Sequence, residues 1–236
     1  MTRQIAVALC ISLVIGFSSS AQDIKTVREN IATLSSPAMQ GRGYIGTSQL
    51  YASQFITAQF QKFNLKPLGK QYRQEFDFKV NTFPGKISVS IDGRKLIPGK
   101  DFLVHDASGS GEKENAKIFV VHKKSLDDRS FVEALMDSIN FRNTVFVLDS
   151  AGCSKDQKDI LRTMFNGTFW KGLGKVPAGI IASEEKKLTW SVSGDAFPYP
   201  ILVLKKEFIS TGTKISFKVN NKIIPECNFF LNFFVI

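Results

Sequence analysis

The sequence predicts an α+β protein, in which a helical N-terminal segment is followed by a β-rich region with interspersed helices. Two patterns carry that prediction. Between residues 23 and 63 apolar residues recur at spacings of three and four, the period of a helix with one buried face. Beyond Gly69 the pattern changes to alternating or β-branched runs punctuated by Gly, Pro, Asn and Asp, which mark strands and turns.

The chain opens on Met1-Thr2-Arg3, an apolar run from Ile5 to Phe17, and then Ser18-Ser19-Ser20-Ala21-Gln22. A short positive start, an apolar stretch and small residues before a cut describe a secretory signal peptide. Residues 1–21 are therefore expected to be removed after Ala21, leaving a secreted or periplasmic chain. The run is shorter than the roughly 20 residues a helix needs to span a bilayer, and no stable membrane anchor is expected. Cys10 follows Leu9 inside the run, which does not fit a lipid-attachment site.

Ile24, Val27, Ile31 and Leu34 define the first helix, ended by Ser35-Ser36-Pro37. Ala38 to Gly46 is a loop with Gly41, Gly43 and Gly46, a density that signals tight backbone geometry or close approach. Thr47 or Ser48 can cap a second helix over 48–63, with Ala52, Phe55, Ile56, Gln59, Phe60 and Phe63 as the face expected in the core. Asn64 suits a left-handed helix stop, and Pro67 bars continuation.

Strands are expected at Tyr72–Val80, Lys86–Ile91, Ala116–His122, Asn143–Asp149, Gly179–Ala182, Ile201–Leu204 and Lys214–Val219. Asp92-Gly93 reads as a type I′ hairpin turn into Arg94. Helices are expected over Asp127–Ser138 and Lys155–Phe165. Asp106–Asn115 reads as a polar loop. The resulting organisation is a signal peptide over 1–21, a helical segment over 22–70, a β-rich domain over 71–220 and a tail over 221–236.

The formal charge of +10 raises the question of nucleic acid or an anionic membrane. Lys and Arg are scattered in ones and twos, as at Lys123-Lys124 and Lys205-Lys206, without interleaved stacking aromatics. Nucleic-acid binding is therefore not expected. Twenty-one Phe against 4 Tyr and 2 Trp point to core rings with no polar handle. Cys153 and Cys227 could pair in an oxidising compartment, but two Cys make no disulfide framework.

Catalytic patterns are missing from the sequence. His105 and His122 are the only histidines, and neither stands in a metal-ligand spacing such as HExxH. Ser108-Gly109-Ser110-Gly111 lacks the G-x-S-x-G spacing of a nucleophile elbow. Lys171 to Lys175 lacks the spacing of a phosphate loop. Asp127-Asp128 and Glu184-Glu185 are adjacent pairs, whose side chains diverge rather than converge on one substrate atom. Neither Ser110 nor Asp127 has a triad or dyad around it. Asn166-Gly167-Thr168 is a glycosylation sequon, relevant in a secreting eukaryote.

One stretch is more specific. Leu34 to Gly46, with Pro37, Gly41, Arg42 and Gly43, followed by the helix through Phe60 and by Asn64-Leu65-Lys66-Pro67, resembles the opening of secreted bacterial zinc aminopeptidases. This is the co-catalytic two-zinc family that includes the leucine aminopeptidase and glutamate carboxypeptidase types. Its members start with a helix, a Gly-Arg loop and a helix ending in a Gly-Leu-x-Pro turn; Asn64 stands here in place of that Gly. Residues from about 80 to 210 resemble the protease-associated domain often inserted at this point, through Ala116–Val121, Thr144–Asp149, Ala178–Ala182 and Phe197–Val203.

The resemblance implies peptide hydrolysis by metal-activated water near a free N-terminus. It also implies ligands (His, Asp, Glu, Asp, His) downstream of the inserted domain, where this chain ends. No catalytic and no metal residue is carried over, and no cofactor is expected in this chain, zinc belonging to the intact family. The expectation is an N-terminal fragment of an exported zinc aminopeptidase, inactive alone, with the Phe-rich stretch to Ile236 as an aberrant apolar tail. Gly41 and Arg42 are expected to contact substrate or a neighbouring domain. The alternative is a stand-alone protease-associated-type module with a protein or peptide as its partner.

Overall fold

The computed structural model describes residues 23–42, 46–127, 138–184, 187–209 and 212–234. The expected leader over 1–21 and most of the helix expected over 127–138 lie outside the described residues. The protein is α+β as predicted, and the chain divides into two compact units. One comprises Met1–Phe76 and Phe229–Ile236, the other Asp77–Asn228.

The first unit begins with α1 (Ile24–Leu34), capped by Asp23, whose carboxylate accepts a hydrogen bond from the Lys25 amide at 3.0 Å. A 3-10 turn over Pro37–Arg42 leads to α2 (Ser48–Lys62). The helix stops where the sequence predicts, with Asn64 left-handed at φ 55°. Strand β1 (Arg73–Thr82) pairs with β10 (Lys222–Asn232) in a two-stranded sheet. The tail segment 221–236 thus contains a strand. At its end Asn232 donates through Nδ2 to Ser53 O at 3.2 Å and Thr57 Oγ1 at 3.0 Å, and Phe234 lies 4.8 Å from Phe60 between ring centroids.

The expected core face of α2 is only partly realised. Ala52 is buried, but Phe55, Ile56 and Phe60 are half-buried and Phe63 is 55% exposed. Helical spacing gathers these side chains on one face, where Tyr72 and Phe234 lie beside Phe60.

The second unit is built on an eight-stranded sheet in the order β3-β2-β9-β5-β6-β7-β8-β4. Its strands are β2 (Ser88–Ile91), β3 (Arg94–Lys95), β4 (Phe102–Val104), β5 (Gly111–Val121), β6 (Thr144–Leu148), β7 (Gly179–Glu184), β8 (Ile201–Lys205) and β9 (Lys214–Val219). Strands β5 to β8 are mutually parallel and the remaining pairs are antiparallel. The two edge strands, β3 and β4, are separated by seven residue steps from Lys95 to Phe102, a reach of at most about 25 Å. Eight flat strands would place those edges about 34 Å apart. The sheet must therefore curl.

Curling gives the central strands two buried faces. On β6, Val145 and Val147 point into the curl with Val89, Phe102, Leu204 and Ile215. Phe146 and Leu148 point outward against α4 (Lys155–Phe165) and α5 (Thr168–Gly172), where Leu161, Met164 and Trp170 cover them. That is why 144–148 reads as a continuous apolar run. Helix α4 keeps its predicted bounds through a capping box: Ser154 Oγ accepts from the Gln157 amide at 3.3 Å, and Gln157 Oε1 accepts from the Ser154 amide at 2.8 Å. The short helix α3 (Lys123–Leu126) follows β5.

The polar loop expected over 106–115 is corrected in its second half. Residues from Gly111 belong to β5, where Gly111 pairs with Val219 and Lys113 with Phe217 before a bulge between Lys113 and Ala116. The bulge takes up Asn115 at φ 51°, whose amide donates to Ser216 Oγ at 2.9 Å. Cys153 and Cys227 are both free thiols and both buried. Among the described residues no helix is long and apolar enough to cross a membrane.

Candidate functional site

Gly41 and Arg42 sit at the end of the 3-10 turn that follows α1. Ser35 and Ser36 close the helix through amide bonds to Ile31 O (2.9 Å) and Thr33 O (3.1 Å), and Met39 anchors the turn as a buried residue. Gln40 (φ 49°, ψ 35°) and Gly41 (φ 67°, ψ 8°) then adopt successive left-handed conformations. For Gln40 that conformation costs about 1–2 kcal/mol. Gly41 is exposed. Of Arg42 only the backbone is described, and residues 43–45 lie outside the described residues.

Asn81, on β1 within the second unit and 1% exposed, is a buried polar side chain with several long-range partners. Its Nδ2 donates to Asp106 O and Ser108 O, both at 2.8 Å, and its Oδ1 accepts from Asn221 Nδ2 at 2.9 Å. Its own amide donates to Ser193 O at 2.7 Å. The side chain thereby ties the segments before β5 and before β10, and the backbone amide adds the segment before β8. Ser108 extends the network: its fully buried hydroxyl accepts from the Ile201 amide at 2.8 Å and donates to Gly109 O at 3.0 Å. Ser110 Oγ donates to Asn221 Oδ1 at 2.6 Å and accepts from the Asn221 amide at 2.8 Å.

Those bonds decide the chemistry of the Ser-Gly segment. Both serine hydroxyls are engaged by amides and carbonyl oxygens, and no general base is hydrogen-bonded to either. They hold backbone together and are not poised as nucleophiles. Sequence reading missed Ser108 because its segment reads as a polar loop, and Asn81 and Asn221 because they stand just past the expected strand Tyr72–Val80 and in the tail. The available signal was Gly109 and Gly111, small where another chain segment approaches closely.

His105 is half-buried, edge-on to Phe165 with ring centroids 5.0 Å apart, and its Nδ1 lies 2.8 Å from Asp106 Oδ1. Burial lowers its pKa, while the Asp106 charge pulls the other way. His122 is exposed and caps α3, with Nδ1 accepting from the Ser125 amide at 3.3 Å and lying 3.2 Å from Ser125 Oγ. Among the described residues the two histidines join no cluster: no group of three or more His, Cys, Asp or Glu could hold a metal ion. Asp127 accepts from Gln157 Nε2 at 2.6 Å and serves as an anchor for α4. Asp128 and Glu185 lie outside the described residues.

No protein-family model matches the chain, and no curated protein matches it. Among solved structures it is similar to an aminopeptidase from Aneurinibacillus sp. strain AM-1, at 12% identity and a TM-score of 0.46, over 78% of this chain and 42% of that one. It is also similar to a peptidase M28 precursor from Shewanella amazonensis SB2B, at 11% identity and a TM-score of 0.43, over 78% of this chain and 44% of that one. The chain spans less than half the length of these structures.

Proposed function

We propose that the chain is the exported, non-catalytic N-terminal part of a zinc-dependent aminopeptidase-type protein and is inactive alone. In this reading the unit Asp77–Asn228 is a protease-associated-type module that shapes access to a metal site carried beyond this segment. The observation that carries it is the order of elements around the Gly-Arg turn. A capped helix, the left-handed Gln40-Gly41 pair and a second helix stopped by Asn64 before Pro67 follow the opening that the sequence resembles. Gly41 and Arg42 then contact substrate or a neighbouring domain, a positioning role rather than a catalytic one.

The test is hydrolysis of an amino-acid amide fluorophore by the purified chain lacking residues 1–21, with and without added zinc. No zinc-dependent release is expected. Release that zinc restores after chelation overturns the reading. A second reading, a stand-alone module that binds a protein or peptide, is favoured by the curled sheet having a core on each face. It requires one cooperative melt and a folded monomer; a broad transition with aggregation speaks for the first reading instead.

A further inference from the structure

Two hollows lie side by side where the parallel strands β6, β7 and β8 begin. One, of about 350 Å³, is lined by Phe141 and Lys175; the other, of about 260 Å³, by Lys113, Pro177 and Pro200. Arg142 and Val176 line both and form the ridge between them. The walls are fixed by backbone: the Ala178 amide donates to Phe141 O at 2.8 Å and to Thr144 O at 3.0 Å, and Thr144 Oγ1 donates to Asn140 O at 2.9 Å. A ligand would therefore meet a preformed cleft and spend little free energy ordering it.

The charge of the cleft is one-sided. Arg142, Lys113 and Lys175 contribute three cations, and none has a carboxylate partner among the described residues. The single acidic residue on the lining, Glu112, is taken by Lys218 Nζ at 2.7 Å. Lys175 Nζ lies 5.9 Å over the Phe141 ring, which holds the charge above the first hollow. Val176, half exposed at 50%, offers apolar surface on the ridge itself. A planar guanidinium flanked by two ammonium groups and apolar walls fits a carboxylate with apolar neighbours.

We propose that this cleft binds an extended peptide segment bearing a carboxylate. The carboxylate is seated on Arg142 between Lys113 and Lys175, with flanking apolar side chains against Val176 and the prolines. The site is independent of the aminopeptidase reading, because it uses only residues of the second unit and no hydrolytic step.

The test is fluorescence anisotropy with labelled peptides Ala-Val-Glu-Val-Ala and Ala-Val-Gln-Val-Ala, each amidated, and Ala-Val-Val as free acid and as amide. An ion pair at a solvent-exposed cation is worth about 0.2–1 kcal/mol, or roughly 1.5- to 5-fold in Kd. The Glu peptide is expected to bind better than its Gln counterpart by that factor if the site takes a side-chain carboxylate. The free acid should exceed its amide if it takes a chain end. Arg142→Gln should abolish the preference without moving the thermal midpoint, since Arg142 is exposed, and Lys175→Gln should reduce it. Lys214→Gln, on β9 and outside the cleft, should leave it intact. Equal binding of acid and neutral peptides, a preference that survives both cleft substitutions, or tighter binding of a single-stranded oligonucleotide than of any peptide overturns the proposal.

Discussion

A side chain at Gly109 would run into the carbonyl oxygen of Phe197. The two segments are held at that distance by a reciprocal pair of bonds, the Gly109 amide donating to Tyr199 O at 3.0 Å and the Phe197 amide to Ala107 O at 2.9 Å. Backbone, unlike the tip of a long side chain, cannot swing aside. Gly109→Ala should therefore destabilise the second unit by about 2–3 kcal/mol, the cost of forced overpacking. Gly85→Ala provides the contrast. Gly85 has φ 101° but open space around it, so only the backbone penalty of about 1–2 kcal/mol applies. Urea melts of the two variants should separate them; equal costs would mean that the Phe197 contact relaxes.

Asn81 makes the complementary prediction. Asn81→Ala leaves the carbonyl oxygens of Asp106 and Ser108 without their donor and Asn221 Nδ2 without its acceptor. The expected cost is about 2–4 kcal/mol for a buried network losing its hub. Asn81→Asp should cost more, because it keeps the acceptor but turns a carboxylate oxygen toward two carbonyls. Thermal melts rank the three proteins, and an Asp variant as stable as wild type would show that the network rearranges.

These two residues also mark the limit of what the sequence discloses. Local rules worked where the cause is local. Asp92-Gly93 turns as a type I′ pair with φ 46° and 82°, and Lys155–Phe165 starts at its capping box. The Asn81 network joins residues 140 positions apart and the Ser108 bond to Ile201 spans 93. Such pairings depend on the sheet curling first, and a run such as Ser108-Gly109-Ser110 looks polar and mobile until its partners arrive. The cleft is hidden for the same reason: Lys113, Arg142, Lys175 and Pro200 come from four separate strand entrances.

Stability should fall at both ends of the pH range, for different groups. Burial pushes the Tyr199 phenol up to about 12, its hydroxyl facing Phe165 O at 3.3 Å. The folded state thus keeps a proton that the unfolded chain releases near pH 10. The stabilisation is complete below pH 10 and is lost as pH rises toward 12, on the order of 2–3 kcal/mol. At the acid end, burial lowers the His105 pKa below 6.5, so the unfolded chain gains the proton first and stability falls as pH drops below about 6.5. Tyr199→Phe should flatten the alkaline limb and His105→Gln the acid one. A limb unchanged by its substitution would assign it to another group.

Helix α1 should be the least stable element described. It has eleven residues, none buried, with Ile24 63% and Ile31 59% exposed. Isolated helices shorter than about 12–15 residues are marginal in water, so its persistence rests on the Asp23 cap and few packing contacts. Strand β6 is the opposite case, buried along its whole length. Ile31→Gln should alter stability by less than about 0.5 kcal/mol, whereas Phe146→Ala should cost about 3–5 kcal/mol. Hydrogen exchange should show α1 amides opening far more often than those of 144–148. If α1 is instead protected like β6 and Ile31→Gln is costly, the Ile24, Val27 and Ile31 face is covered in solution, and the apolar side chains that the sequence places at helical spacing have found a partner.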